Sequence, residues 1–196
     1  MEKNHKRIKN ACYVTNICMS IVANISAILL LPFRAMYGIS FSLLGLLVLI
    51  NFVTQLSVDL IFSFFSHKFN IEKTVKFTPL LTMFGLLVYA AWPMVFPNAA
   101  YPGLVLGTII FAAAGGLGEV LISPVIAALP AEDTEREISK LHSVYAWGVV
   151  LVIAISTVFL HFFGVESWQK LIFLLLLFPL LAVVLFFGTK LPKMEK

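Results

Sequence analysis

Charged residues are scarce in this sequence of 196 residues. Only 12% of the residues are Asp, Glu, Lys or Arg, whereas a typical soluble domain has about 25%. A water-soluble globular domain is therefore excluded for most of the chain. Cysteine is rarer still. Cys12 and Cys18 stand six residues apart on one predicted helix, and this spacing puts them on different faces, which disfavours a disulfide or a metal pair.

Sequence motifs of enzymes are also missing. The chain has no His-x-x-x-His pair, no Gly-x-Ser-x-Gly motif and no second carboxylate beside Glu119 in the sequence. These patterns identify common metal-dependent and nucleophilic hydrolases. We therefore predict that the protein is not an enzyme and that it carries no cofactor and no metal ion.

Long apolar runs fill the chain instead. Hydrophobic residues make up 60% of it, and the mean hydropathy is +0.98. A helical run of about 18 apolar residues or more crosses roughly 30 Å of hydrocarbon. The sequence predicts an all-α membrane protein, a bundle of six transmembrane helices that forms one domain. The predicted spans are residues 11–33, 39–66, 75–95, 101–129, 141–163 and 168–188.

The basic residues predict the orientation of this bundle, because Lys and Arg are retained on the cytoplasmic side during insertion. With the N-terminus inside, 12 of the 14 basic residues fall on that side, and only Arg34 and Lys170 fall outside. We therefore predict a multi-pass protein of the cell membrane, inner or plasma, with both termini cytoplasmic. The net charge of +4 follows from this bias, so the partner that we expect is the lipid bilayer and not a nucleic acid.

Polar residues recur at helical spacing in some spans only. The first span carries Asn16, Ser20 and Asn24, and the second carries Asn51, Gln55 and Asp59. In the fourth span, small residues that allow close helix approach precede Glu119. Such stripes fit either the lining of an interior cavity or helix–helix packing. In the sixth span, the run LIFLLLLFPLLAVVLFF at 171–187 has no polar side chain and only Pro179 to bend it, so we expect this helix at the periphery of the bundle.

Two acidic residues lie within predicted spans. An ionised side chain near the bilayer centre costs on the order of 2.5–3.5 kcal/mol on insertion scales, so such residues usually mark function. Glu119 lies near the middle of the fourth span, and we expect it to be functional. Asp59 lies nearer the cytoplasmic end of the second span, where a structural hydrogen bond is the more natural role.

The segment PAEDTEREISK, residues 130–140, is predicted to be a solvated cytoplasmic loop. His142 and Tyr145 follow it in the first turns of the fifth span. A histidine at this position fits a proton relay or an anion site, and it fits an interhelical contact at the membrane boundary equally well.

Two segments of the chain resemble a known family. GEVLISPVIAALP at 118–130 and LHSVYAWG at 141–148, together with six helices and both ends inside, resemble the N-terminal half of a major facilitator superfamily transporter. The stretch HKFNIEK at 67–73 departs from the family, because His67 and Asn70 stand where the family has an Asp and a Gly at a tight basic turn. The resemblance implies a half built of two inverted three-helix repeats.

The resemblance also implies a function. We expect transport of a small-molecule substrate by alternating access, coupled to protons or ions, with this chain as one half that pairs with a second half or with a copy of itself. Glu119 would bind a proton or a polar group of the substrate, and Asn16, Ser20 and Asn24 would add hydrogen bonds. The alternative is a membrane scaffold or subunit without transport activity, or a truncated transporter fragment.

Overall fold

The structure is a computed structural model that describes residues 2–192. Lys193 and Lys196, two of the basic residues behind the orientation prediction, lie outside this range. Short 3-10 turns at Ser66–Lys68, Pro97–Ala99 and Val165–Ser167 connect several of the helices. The described range contains eight α-helices: α1 (Glu2–Ile28), α2 (Leu30–Tyr37), α3 (Phe41–Phe65), α4 (Ile71–Val95), α5 (Ala100–Ala127), α6 (Thr134–Phe163), α7 (Trp168–Leu175) and α8 (Leu177–Phe186).

Six helical segments of the described chain are long and apolar enough to cross a membrane. Two of them begin far earlier than the predicted spans: α1 begins at Glu2 instead of residue 11, and α6 begins at Thr134 instead of residue 141. The spans were predicted from apolar residues, but polar residues continue a helix into water. The Asp133 carboxylate starts α6 by accepting a hydrogen bond from the Arg136 backbone N–H at 2.9 Å. The prediction of a solvated loop over residues 130–140 is therefore wrong for residues 134–140, which are helical.

Prolines interrupt the first and the last span. α1 gives way to α2 at Leu29, three residues before Pro32, and α7 gives way to α8 at Leu176, three residues before Pro179. A proline lacks the backbone N–H for the helical hydrogen bond, and its ring clashes with the carbonyl four residues earlier. The interruption at Leu176 lies one turn before Pro179, the residue expected to bend this helix, whereas the break before Pro32 was not predicted.

The helices α1 and α5 form the centre of the bundle. α5 packs against α4, α3 and α1, and α1 also packs against α6 and α8. Within the most apolar window of each span, 56% of the residues are buried for α1 and α5, but only 17% for α3 and α6. α3 and α6 therefore flank the centre and leave most of their surface uncovered. α8 lies against α1 and α4 and exposes Leu177, Leu181 and Val184.

Both ends of the described chain meet at one end of the bundle, which we call the terminal end. The Asn4 side-chain amide donates to the Lys190 carbonyl oxygen at 2.9 Å. Arg7 donates to the carbonyl oxygens of Val184 and Phe187 at 3.1 and 2.9 Å. Because the last carbonyls of a helix have no partner within it, Arg7 satisfies groups that α8 leaves open. The α3–α4 and α5–α6 connections lie at this same end.

Glu137, in the first turn of α6, joins α6 to α1 at the terminal end. Its carboxylate pairs with Lys9 of α1 and with Lys140 of α6, the latter at 2.7 Å. It also accepts a hydrogen bond from the Tyr13 hydroxyl at 3.2 Å. A residue assigned by the sequence to a solvated loop therefore connects two helices.

Candidate functional site

A cavity of about 250 Å³ lies among α1, α3, α5 and α6. Each of these four helices contributes at least one polar side chain to its wall. Five of the nine predicted site residues line it, namely Asn16, Gln55, Glu119, His142 and Tyr145. The wall is completed by Met19, Gly118, Ile122, Ser123 and Leu141.

Glu119 is the acidic residue of the cavity. It lies about 8 Å from the midpoint of α5 towards the terminal end, a distance smaller than the half-thickness of a hydrocarbon layer, which is roughly 15 Å. Its side chain is exposed on the surface of the bundle. Asp59 lies about 9 Å from the midpoint of α3 in the same direction, but it is not among the lining residues. Position relative to the cavity, rather than depth, separates the two acidic residues.

Glycines bring two neighbouring helices against α5 at the cavity. A Cβ atom at Gly116 would lie 2.6 Å from the Gln55 carbonyl oxygen, and one at Gly118 would lie 2.7 Å from the Met19 Sδ. A side chain at 116 therefore requires the backbone of α3 to move. The close approach predicted for the small residues before Glu119 is confirmed, and it brings Gln55 and Met19 to the cavity wall.

Asn51 orients Gln55. The buried Asn51 side-chain amide donates to the Val22 carbonyl oxygen of α1 at 2.7 Å, and its Oδ1 accepts a hydrogen bond from Gln55 Nε2 at 2.8 Å. Asn51 thus binds α1 and also holds Gln55, the next polar residue of its own helix face, in place. Asn51 supports the cavity without lining it.

The stripe on α1 binds α6. Asn16 donates to the Leu141 carbonyl oxygen at 2.6 Å, and Ser20 donates to the Tyr145 carbonyl oxygen at 2.9 Å. The two helices are close here, because a Cβ atom at Gly148 would lie 2.6 Å from the Ser20 Oγ. Asn16 reaches the cavity as well, whereas Ser20 is buried in the interface. The polar stripe fitted either cavity lining or helix packing, and Ser20 serves in helix packing.

Asn24 has a local hydrogen bond. Its side-chain amide donates to the carbonyl oxygen of Ser20 on its own helix at 2.8 Å, and Asn24 does not line the cavity. Four predicted site residues, Ser20, Asn24, Asn51 and Asp59, therefore lie outside the cavity wall.

His142 and Tyr145 form the α6 side of the cavity. His142 is exposed and Tyr145 is half-buried, so both rings stand between the interior and the bundle surface. They face Glu119 of α5 across the cavity, which gives the site one carboxylate, one imidazole and one phenol. Within residues 2–192, no group of three or more His, Cys, Asp or Glu side chains is arranged to hold a metal ion.

Five lining residues were not predicted, namely Met19, Gly118, Ile122, Ser123 and Leu141, and helical spacing points to Met19 and Ser123 among them. Met19 lies three residues after Asn16, and Ser123 lies four residues after Glu119. Residues three and four apart share a helix face, so this spacing is the signal that identifies them. Met19 is apolar, so it does not belong to the polar stripe of α1.

The fold matches one half of known transporter structures. A structure of the major facilitator superfamily proton:xylose symporter XylE, bound to 6-bromo-6-deoxy-D-glucose, matches with a TM-score of 0.82 at 16% sequence identity, over 97% of this chain and 46% of the symporter. An inward-open structure of the xylose transporter XylE from E. coli matches with a TM-score of 0.80 at 18% identity, over 96% of this chain and 48% of the transporter.

The chain thus spans about half the length of the transporter structures it matches. No protein-family model matches the sequence, and no curated protein matches it either. At these identities the likeness concerns the fold. The chain therefore has the fold of one six-helix half of a major facilitator superfamily transporter.

Proposed function

We propose that the chain is one half of a secondary transporter that carries a small polar solute across the cell membrane, with both termini in the cytoplasm. The observation that carries this proposal is the cavity in which four helices place polar groups around the exposed Glu119 carboxylate. An ionised side chain within hydrocarbon costs on the order of 2.5–3.5 kcal/mol. The face of the bundle onto which this cavity opens therefore favours water or a protein partner over lipid.

A second six-helix half would cover this face. The flanking helices α3 and α6 leave large apolar side chains uncovered, among them Leu56, Phe64 and Trp147 at 58%, 74% and 72% exposure. Apolar flanks around a polar centre are the pattern expected of a surface that encloses an aqueous path between two halves. The second half is either another chain or a copy of this one.

In such an assembly the two halves would rock about the cavity and open it to one side of the membrane at a time. Glu119 would accept a proton or bind a polar group of the solute. Gln55, held by Asn51, and Tyr145 would supply hydrogen bonds from the facing helices. Protonation of Glu119 removes the one carboxylate charge of the cavity wall, so proton binding and solute binding would be coupled.

The test is uptake by vesicles that contain the assembled protein, with an imposed pH gradient and a panel of labelled sugars, organic cations and metabolites. Glu119→Gln keeps the shape of the side chain and removes its titration. We expect uptake to fall by roughly tenfold or more, the loss typical of a charged hydrogen-bonding group, and its dependence on the pH gradient to disappear.

Glu132→Gln is the matched control, because Glu132 is exposed in the α5–α6 connection and should leave uptake unchanged. Gradient-dependent uptake that survives in Glu119→Gln would overturn the assignment of Glu119. A stable complex with a partner that moves none of the solutes would favour the scaffold or subunit alternative, and native mass spectrometry of the purified membranes detects that complex.

A further inference from the structure

A second cavity, of about 550 Å³, lies on the outside of the bundle between α3 and α4. We call it the α3–α4 groove. α5 forms its floor with Ala113 and Leu117, α3 forms one wall with Val58 and Phe62, and α4 forms the other with Lys73 and Phe77. Its surface is almost entirely apolar, and Lys73 is the charged residue among those that line it.

The groove is separate from the polar cavity. Leu117 belongs to the groove and Glu119 to the cavity. Residues two positions apart in an α-helix are about 200° apart around its axis. The two sites therefore lie on opposite sides of α5. The groove faces outwards, since Phe77 is 52% exposed, and in a membrane this surface meets lipid.

The groove is short. Its residues pair at a spacing of four on each helix, as in Val58 with Phe62 and Ala113 with Leu117, which corresponds to one helical turn, or about 6 Å. A transmembrane helix of a partner packs along several successive turns. A site one turn long suits a flexible hydrocarbon chain better than a helix.

The groove closes at the terminal end with an aromatic pair and a lysine. The Phe69 ring stacks on Phe62, with ring centroids 5.1 Å apart, and the exposed Lys73 stands beside them. The neighbouring Lys76 is paired with Glu72 at 2.6 Å. Lys73 has no such carboxylate partner among residues 2–192, so its ammonium group is available to an external anion.

We propose that the α3–α4 groove binds an anionic phospholipid. The part of one acyl chain nearest the headgroup lies against Ala113, Leu117 and Phe77, and the phosphate contacts the Lys73 ammonium group. Basic residues between transmembrane helices at the membrane boundary attract anionic lipid headgroups. An apolar slot with one unpaired cation at its mouth complements the two parts of such a lipid. A zwitterionic lipid, which adds its own cationic group, complements it less well.

The test is native mass spectrometry of the purified chain in detergent, with phosphatidylglycerol or phosphatidylcholine of identical acyl chains. One lysine near an anionic lipid contributes about fivefold in affinity. We expect the wild-type chain to prefer phosphatidylglycerol by about this factor, and Lys73→Gln to lose the preference. Lys68→Gln is the matched control, because the Lys68 ammonium lies over the Phe65 ring at 4.9 Å and is not among the groove residues.

A variant of the floor tests the acyl part of the proposal. Ala113→Phe fills the groove and should weaken the binding of both lipids, while leaving a smaller preference for the anionic one. If Ala113→Phe fails to fold, as judged by circular dichroism, Ile61→Trp obstructs the groove from the exposed wall, where Ile61 is 54% exposed.

Three results would overturn the proposal. The first is an unchanged phosphatidylglycerol preference in Lys73→Gln. The second is an equal loss in Lys68→Gln, which would indicate a general effect of surface charge. The third is a dimer of the chain that the groove-filling variant abolishes while lipid binding persists, which would make the groove a protein contact.

Discussion

At the scale of single residues, Asn51 has two hydrogen-bonding roles that belong to different parts of the protein. Its amide N–H group reaches the Val22 carbonyl oxygen on α1, and its oxygen accepts from Gln55 on its own helix. The first bond joins two helices and the second places a side chain in the cavity wall. Stability and the shape of the site therefore depend on one buried amide.

Asn51→Ala removes both bonds. We expect the free energy of unfolding to fall by about 0.6 kcal/mol and by no more than about 1.7 kcal/mol, the average and the maximum for interhelical hydrogen bonds in a membrane protein. Detergent-induced unfolding followed by circular dichroism measures this loss. The comparison variant is Ser57→Ala on the same helix. The Ser57 hydroxyl donates to the Val53 carbonyl oxygen of its own helix and is exposed, so its removal should change little. Equal losses in the two variants would contradict the interhelical role of Asn51.

The spacing of residues identified the faces of the helices but not the partners on those faces. Asn51, Gln55 and Asp59 share one stripe, yet Asn51 binds α1, Gln55 lines the cavity and Asp59 does neither. Which atom lies opposite a side chain depends on a helix that is distant in sequence. Periodicity within one helix carries no information about it, and for this reason four of the predicted site residues lie outside the wall.

At the scale of helices, the contact of α3 with α5 depends on Gly116. A methyl group there would lie 2.6 Å from the backbone oxygen of Gln55 and 3.1 Å from the Val58 Cβ. Backbone cannot rotate out of the way as a side chain can, so the two helices would have to separate.

Gly116→Ala should therefore destabilise the bundle by about 1–3 kcal/mol, the usual cost of forcing extra volume into a packed interface. Gly45→Ala on α3 is the matched control, because a Cβ atom there meets no atom within 4 Å. That change should raise stability by roughly 0.5–1 kcal/mol through the better helix propensity of alanine. Detergent unfolding of both variants distinguishes them, and a neutral Gly116→Ala would mean that α3 is not held this closely.

The apolar runs predicted the helices well because crossing a membrane requires a minimum length of hydrocarbon-soluble residues. They predicted the helix ends less well. The start of α6 is set by the Asp133 cap, and the break before Pro32 is set by a missing backbone donor. Both features depend on a backbone hydrogen bond that is made or lost, and a profile of apolar residues does not record such bonds.

At the scale of the whole molecule, the proposed orientation predicts which connections are reachable from outside the cell. Asn98, in the α4–α5 connection, and Glu132, in the α5–α6 connection, are both exposed and belong to opposite ends of the bundle. Asn98→Cys should react with a membrane-impermeant maleimide in intact cells, whereas Glu132→Cys should react only after permeabilisation. The native Cys12 and Cys18 are buried in α1, so background labelling should be low.

Labelling of Glu132→Cys in intact cells, with protection of Asn98→Cys, would reverse the orientation. It would also place the Lys73 end of the α3–α4 groove in the outer leaflet, since that end belongs to the same side of the bundle as Glu132. Equal labelling of both variants would show that the chain is not inserted in one direction.

The hydrogen bonds between α1 and α6 join segments that are made far apart in time during translation. Asn16 and Ser20 bind the carbonyl oxygens of Leu141 and Tyr145, each 125 residues later in the chain. A ribosome that adds roughly 5–20 residues per second needs about 6–25 s to make that stretch. During this interval the Asn16 amide has no Leu141 carbonyl oxygen to bind, whereas the Ser20 hydroxyl can use the Asn16 carbonyl oxygen on its own helix, 3.2 Å away. A chain stalled before α6 emerges would expose the Asn16 amide to membrane quality control.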